Sequence, residues 1–390
     1  MVNLKELYLK LCMSSVFSSV LDKKIFTHFF KYCTSEQKHD KIRAYAAFVS
    51  EIYQNGGSLT DYIKQLLLED ENVYIKAMAH KNSVREEIKS ALDAELNVFE
   101  CFATLADADF ASDMGIDYVS RFESHKIDLK ECYRERICGI SKYGYGIFSS
   151  YPMFRLSDKG EIEPIISRDK TSVEKFVGYE RERNSVIENT VAFIENRPAA
   201  NVLLCGDAGT GKSSTVKAIA NMFFDSGVRL IELRKDQLHH IPYVMGKISE
   251  NPLKFIIFID DLSFNQSDDN FSMLKAALEG SASAKAVNAV IYATSNRRHI
   301  VRESFADRDS DDVHRNDTMQ ETLSLSERFG LVVLFERPNK KLYLDIVFTL
   351  AERSGIRMNK DELAIKAEAF ALKRGSRSAR CAEQFIESLL

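Results

Sequence analysis

Three absences narrow the field before any motif is considered. No run of eighteen apolar residues occurs in the 390-residue chain, so hydropathy offers no membrane-spanning helix. Nor is there an excess of one charge: 53 basic residues stand against 57 acidic ones, a net charge of −4. No overall basic balance marks a nucleic-acid binder, although a local patch is compatible with that composition. The seven cysteines are scattered, without a CxxC pair, and Cys132 and Cys138 are too isolated to suggest a zinc site. The opening MVNLKELYLKLCMSSVF is an interrupted amphipathic pattern rather than the apolar core of a signal peptide, and a cytoplasmic location is expected.

What is present begins with Val202-Leu203-Leu204-Cys205-Gly206-Asp207-Ala208-Gly209-Thr210-Gly211-Lys212-Ser213-Ser214, an apolar strand followed by GxxxxGK[ST] and a helix start. Gly206, Gly209 and Gly211 permit positive φ and leave backbone N–H groups uncovered, so that a loop can wrap phosphate oxygens. The helix from about Lys212 turns its positive end toward the same anion. Lys212 supplies a point charge for the β- and γ-phosphates, and the Ser213 hydroxyl is a ligand for Mg²⁺. Asp207, Ala208, Thr210 and Ser214 complete the phosphate-wrapping stretch. A nucleoside triphosphate with magnesium is the expected ligand.

The rest of the chain divides around this loop. With 45% hydrophobic residues, two or three domains with real cores are expected. Residues 1–142 carry apolar positions at helical spacing and read as a helical domain. Residues 143–170 change to a Gly-, Pro- and Ser-containing tract, expected to link domains and to hold some strand. From 171 a helix, capped by Thr171 or Ser172, is expected to lead into the P-loop strand. Five short apolar runs then follow the pattern of a parallel sheet buried on both faces: Val202–Cys205, Val228–Leu233, Phe255–Ile259, Ala289–Thr294 and Leu331–Phe335. Residues 171–338 are thus an α/β domain, and 339–390 return to helices as a small cap.

Polar residues at the ends of these strands supply the chemistry. The strand Phe255–Ile259 ends in Asp260-Asp261 and is expected beside the P-loop strand. There Asp260 orders the magnesium shell and Asp261 acts as general base toward the attacking water. The strand from Ala289 runs into Asn296, whose amide suits contact with the γ-phosphate or the water. Arg328, just before the fifth strand, is too far along the chain's own sheet to serve its own P-loop. It is suited to entering a neighbouring copy's site, which implies a homo-oligomer. Arg377 and Arg380 open the last helix, where a cation is unfavourable unless an anion faces it. Arg377 is the first candidate to reach the phosphates from the cap, Arg380 the second.

In this order the motifs resemble those of the AAA+ ATPases over roughly residues 170–390. The resemblance implies a five-stranded parallel P-loop sheet with a C-terminal helical lid. It also implies Walker A at Gly206–Ser213, Walker B at Asp260 and Asp261, sensor 1 at Asn296, the arginine finger at Arg328, and sensor 2 at Arg377 or Arg380. Val177-Gly178-Tyr179 resembles the segment that packs on adenine, so Gly178 and Tyr179 join the expected nucleotide contacts and ATP is implied over GTP. The stretches GDAGTGKSSTVKAIA, FIDDLSF, LKAALEGS, IYATSNRRHI and LSLSERFGLVVLFE resemble more closely a bacterial AAA+ family catalogued as domain of unknown function 815. That family has Asp-Asp where many AAA+ members have Asp-Glu, as at Asp260-Asp261 here.

The expected function is ATP hydrolysis coupled to conformational change on a client, with a protein partner at residues 1–142 as the first reading. The alternatives are a nucleic-acid remodeller, for which Arg297-Arg298-His299 and Arg302 form the best basic cluster, and a nucleotide switch with little turnover.

Overall fold

The computed structural model describes residues 2–114, 118–166, 172–262, 273–275, 278, 287–296 and 328–390. They form two compact units, one of residues 1–150 with 250–252 and one of residues 151–249 with 253–390.

The first unit is helical. Its helices are α1 (Leu4–Cys12), α2 (Lys24–Thr34), α3 (Lys38–Gln54), α4 (Leu59–Glu69), α5 (Val73–Ala79), α6 (Glu86–Ala103), α7 (Asp107–Met114), α8 (Leu129–Cys138) and α9 (Ile140–Tyr143). Apolar spacing explains the packing. Helix α2 buries Ile25, Phe26, Phe29, Tyr32 and Cys33, which lie on one stripe of a 3.6-residue period. Phe26 stacks on Phe102 of α6 at 4.9 Å between ring centroids, and Phe29 meets the same ring edge-on at 4.8 Å. One carboxylate is buried in this aromatic core. Glu95 accepts hydrogen bonds from the backbone N–H groups of Ser15, Val16 and Phe17 at 2.7–3.0 Å, which fastens the turn after α1 to α6. No helix among the described residues is long and apolar enough to cross a membrane.

The second unit is built on a sheet of seven strands in the order β2-β1-β4-β5-β6-β3-β7. Their ranges are β1 (Met153–Leu156), β2 (Ile162–Pro164), β3 (Val202–Gly206), β4 (Val228–Leu233), β5 (Lys254–Ile259), β6 (Ala289–Ser295) and β7 (Leu331–Phe335). The five expected strands are present, but the sheet is neither five-stranded nor wholly parallel. The tract expected as a linker adds β1, which runs parallel to β4, and β2, which pairs antiparallel with β1 through Phe154↔Pro164 and Leu156↔Ile162. Two strands of four and three residues are too short to leave a periodic signal in sequence, whereas the fully buried runs of β3 and β5 are unmistakable.

A second expectation is corrected by the strand order. The acidic strand β5 does not lie beside the P-loop strand β3, because β6 is inserted between them. The register Cys205↔Ser295 on one side of β6 and Ile259↔Ala293 on the other puts the ends of all three strands at one edge. Helices α10 (Glu180–Ile194), α11 (Lys212–Met222) and α12 (Ile241–Ser249) belong to this unit. The helix expected from Thr171 or Ser172 starts only at Glu180, with a short 3₁₀ turn at Val173–Lys175 before it.

Three further helices follow the sheet: α13 (Lys340–Arg353), α14 (Lys360–Arg374) and α15 (Ala379–Glu387). Each starts at a side-chain cap: Asn339 accepts from the Leu342 N–H, Asn359 from the Asp361 N–H and Ser378 from the Cys381 N–H, at 2.8–3.1 Å. Tyr343, Ile346, Val347, Leu363, Ala367, Cys381 and Phe385 give the three helices a core of their own.

Candidate nucleotide site

The site lies where β3, β5 and β6 end. Strand β3 delivers Gly206 with φ 132°, and a Cβ there would stand 2.0 Å from the Phe335 carbonyl oxygen of the neighbouring strand β7. Both facts demand glycine. Substituting Gly206→Ala is therefore expected to lower stability by about 3 kcal/mol or more, read as a fall in the thermal midpoint; an unchanged midpoint would contradict the packing described. Gly209 and Gly211 also have positive φ, 77° and 91°. A Cβ at Gly211 would meet nothing within 4 Å, so the loop is open on that side. Thr210, buried, donates from Oγ1 to the Asp207 carbonyl at 2.9 Å and fixes the bend.

Lys212, the first residue of α11, folds back over this loop. Its three ammonium protons go to the Gly206 carbonyl at 2.9 Å, the Asp207 carbonyl at 2.7 Å and the Asn296 Oδ1 at 3.0 Å. Burial pulls its pKa below the ordinary lysine value, against the opposing pull of Asp207, Asp260 and Asp261. Next in sequence, Ser213 donates from Oγ to Asp260 Oδ1 at 2.6 Å. A hydroxyl and a carboxylate from different elements thus meet at the start of α11. Asp261 stands one residue further with φ 54°, and its Oδ1 accepts from Asn296 Nδ2 at 2.7 Å. Asn296 therefore joins the lysine to the second acid through the two ends of one amide.

Thr294 was not singled out from sequence. It is buried on β6, donates from Oγ1 to Asp260 Oδ1 at 2.5 Å, and accepts from the Asp261 N–H at 2.9 Å. No motif flags a threonine inside an apolar strand; only the insertion of β6 between β3 and β5 brings it there.

The remaining expected residues separate into those that the fold brings to the loop and those that it does not. Gly178 has φ 77°, and a Cβ there would strike Leu342 of α13 at 2.6 Å. Tyr179, also left-handed at φ 59°, lays its ring 5.3 Å from that of Phe335 and donates its hydroxyl proton to the Glu336 carbonyl. Since Phe335 pairs with Gly206, this segment borders the P-loop. Arg377 is committed elsewhere: its guanidinium forms a fork on Glu368 of α14 at 3.0 and 2.6 Å, and holds that carboxyl below the usual range. Arg380 is the arginine at the loop. Its backbone N–H donates to the Gly209 carbonyl at 3.3 Å, and its Cβ lies 3.3 Å from where a Gly209 Cβ would be. Arg328 precedes β7, which runs parallel to β3, so it sits at the end of the sheet opposite the P-loop. Arg297, Arg298, His299, Arg302 and the acidic segment 304–322 lie outside the described residues.

These groups are a fitting donor set for Mg-ATP: uncovered glycine peptides, one ammonium, and a serine–aspartate pair of the kind that holds magnesium with few carboxylates. The family model described as "Protein of unknown function (DUF815)" matches residues 149–390. The chain belongs to this family. The P-loop, the sheet that carries it and the C-terminal helices give the chain an AAA+-like ATPase fold. Two curated relatives are the chaperone protein ClpB of Rickettsia bellii (strain RML369-C) and that of Rickettsia felis (strain ATCC VR-1525 / URRWXCal2). Each is 26% identical over 141 residues, 32% of this chain. The chain covers only 14% of the ClpB length. Among solved structures, the Thermotoga maritima RuvB Holliday junction branch migration motor and a point variant of it match at 13% identity and TM-score 0.35. They align over 56% of this chain and 72% of theirs.

Proposed function

We propose that the chain is a magnesium-dependent ATPase that couples turnover to conformational change in a macromolecular client. The observation that carries this is the set Ser213–Asp260 and Asn296–Asp261, closed at 2.6 and 2.7 Å beside a glycine-lined loop. Ser213 and Asp260 would hold magnesium, which would neutralise phosphate charge. Loop amides and Lys212 grip the phosphate oxygens, which compete with the three acceptors that Lys212 serves. Asp261 takes the proton of the attacking water as general base, and Asn296 fixes the direction of its carboxylate. Gly178 and Tyr179 border the loop where a purine would lie. Phosphate release from ATP that requires magnesium is the direct test; purified protein that binds Mg-ATP yet releases none would reduce it to a nucleotide switch.

Three arginines divide the remaining work in this reading. Arg380 reaches the phosphates from the lid, Arg377 braces α14, and Arg328 acts in a neighbouring copy. Substituting Arg380→Ala is expected to lower kcat/KM about tenfold, the worth of one charge-assisted contact, and Arg377→Ala to leave it within about twofold. Arg328→Ala is expected to remove the rise of specific activity with protein concentration. Steady-state kinetics over a concentration series decides all three; equal losses for Arg377 and Arg380 would undo this division.

The client is of either class, protein or nucleic acid, with residues 1–142 as the proposed recognition domain for a protein. Capture with the Asp261→Asn variant held in ATP, before and after nuclease treatment, separates the two classes.

A further inference from the structure

We propose that Thr294 is a positioning residue for hydrolysis: it sets the geometry of both acids and thereby lets an aspartate do the work of a general base. The proposal rests on the ATPase reading above and assigns a role that reading does not contain.

Thr294 binds three consecutive residues of the acidic strand end. Its hydroxyl proton goes to Asp260 Oδ1 at 2.5 Å, its Oγ1 accepts the Asp261 N–H at 2.9 Å, and its carbonyl accepts the Leu262 N–H at 2.7 Å. The register explains the reach, since Ala293 is opposite Ile259 and the next residues along are Thr294 and Asp260. Two consequences follow. First, Oδ1 of Asp260 receives both the Ser213 and the Thr294 hydroxyl protons. Among the described residues the hydrogen bonds given to this carboxylate converge on Oδ1, so Oδ2 would be the oxygen to serve magnesium when it is bound.

Second, Asp261 holds φ 54°, a conformation rare for a residue with a Cβ. In that geometry its carboxylate meets Asn296 at 2.7 Å. An aspartate side chain is one methylene shorter than glutamate, so its reach must come from the backbone. The Oγ1···H–N contact from Thr294 ties that peptide in place. Thr294 touches no substrate in this scheme; it acts through Asp260 and Asp261.

The test compares Thr294→Val, which keeps the shape and loses the hydroxyl, with Thr294→Ser, which keeps the hydroxyl and loses the methyl. In the full chain, Thr294→Val is expected to bind Mg-ATP within about twofold of the parent while kcat falls about 10- to 100-fold, the worth of hydrogen bonds to a charged group. The magnesium concentration for half-maximal turnover should rise several-fold, and Thr294→Ser should restore both within about threefold. Should Thr294→Val not fold, Thr294→Ala against Thr294→Ser gives the same comparison. A Val or Ala variant with parental kcat and magnesium dependence would overturn the proposal. So would equal losses in the Ser variant, because they would trace to packing rather than to the hydroxyl. Parental protein that binds Mg-ATP but never hydrolyses it would instead refute the ATPase reading itself.

Discussion

Substituting Lys212→Ala is expected to weaken Mg-ATP binding by about 100-fold or more, the loss of two charge-assisted contacts to phosphate oxygens. Among the described residues the lysine is the one ammonium anchored at the glycine bend. It is buried there with all three protons placed, and its stem is fixed by being the first residue of α11. Lys217, a turn and a half along α11, is paired with Glu232 at 3.1 Å and does not take its place. Calorimetric titration with unchanged far-ultraviolet circular dichroism isolates the effect from unfolding. Affinity within about threefold of the parent would mean that loop amides alone carry the phosphates.

Substituting Asp261→Asn is expected to leave Mg-ATP binding intact and to cut turnover about 100- to 10,000-fold, the range for removing a general base. The exchange is unusually clean at this position. An asparagine Oδ1 still accepts the proton that Asn296 Nδ2 donates at 2.7 Å. Asparagine also tolerates the left-handed backbone that Asp261 adopts at φ 54°. Shape, hydrogen bond and backbone survive, and only the capacity to take a proton is lost. Single-turnover phosphate release measures that capacity directly. A variant that releases phosphate at the parental rate would make the Asn296–Asp261 contact a structural one and move the base elsewhere.

The two acids also show how far sequence carries. The P-loop was legible because its function needs consecutive residues: glycines, lysine and serine at fixed spacing read the same in one dimension as in three. Asp260 and Asp261 were legible as the end of a run of apolar residues, as was Asn296. Their mutual arrangement was not. Strand order is set by which crossover each connection makes, and nothing in Phe255–Ile259 announces that β6 intervenes before β3. Thr294 owes its place to that insertion, which is why an unremarkable threonine escaped notice.

The lid gives a second instance of the same limit. Arg377 and Arg380 are three residues apart around a helix start, and composition treats them alike. Tertiary neighbours divide them, since Glu368 on α14 claims the first and Gly209 of the loop receives the backbone of the second. In the same way, the short strands β1 and β2 exist because an exposed edge of β4 can be paired, a cause invisible in the Gly- and Ser-containing tract that forms them.

The central claim is that a glycine-lined bend, one ammonium and a serine–aspartate pair hold adenosine triphosphate together with magnesium. Calorimetric titration of the purified chain with ATP, in magnesium and then in excess chelator, tests it most directly. Saturable one-site binding that weakens sharply when magnesium is removed is the predicted result. No detectable heat of binding in either condition, from protein shown to be folded, would contradict the account.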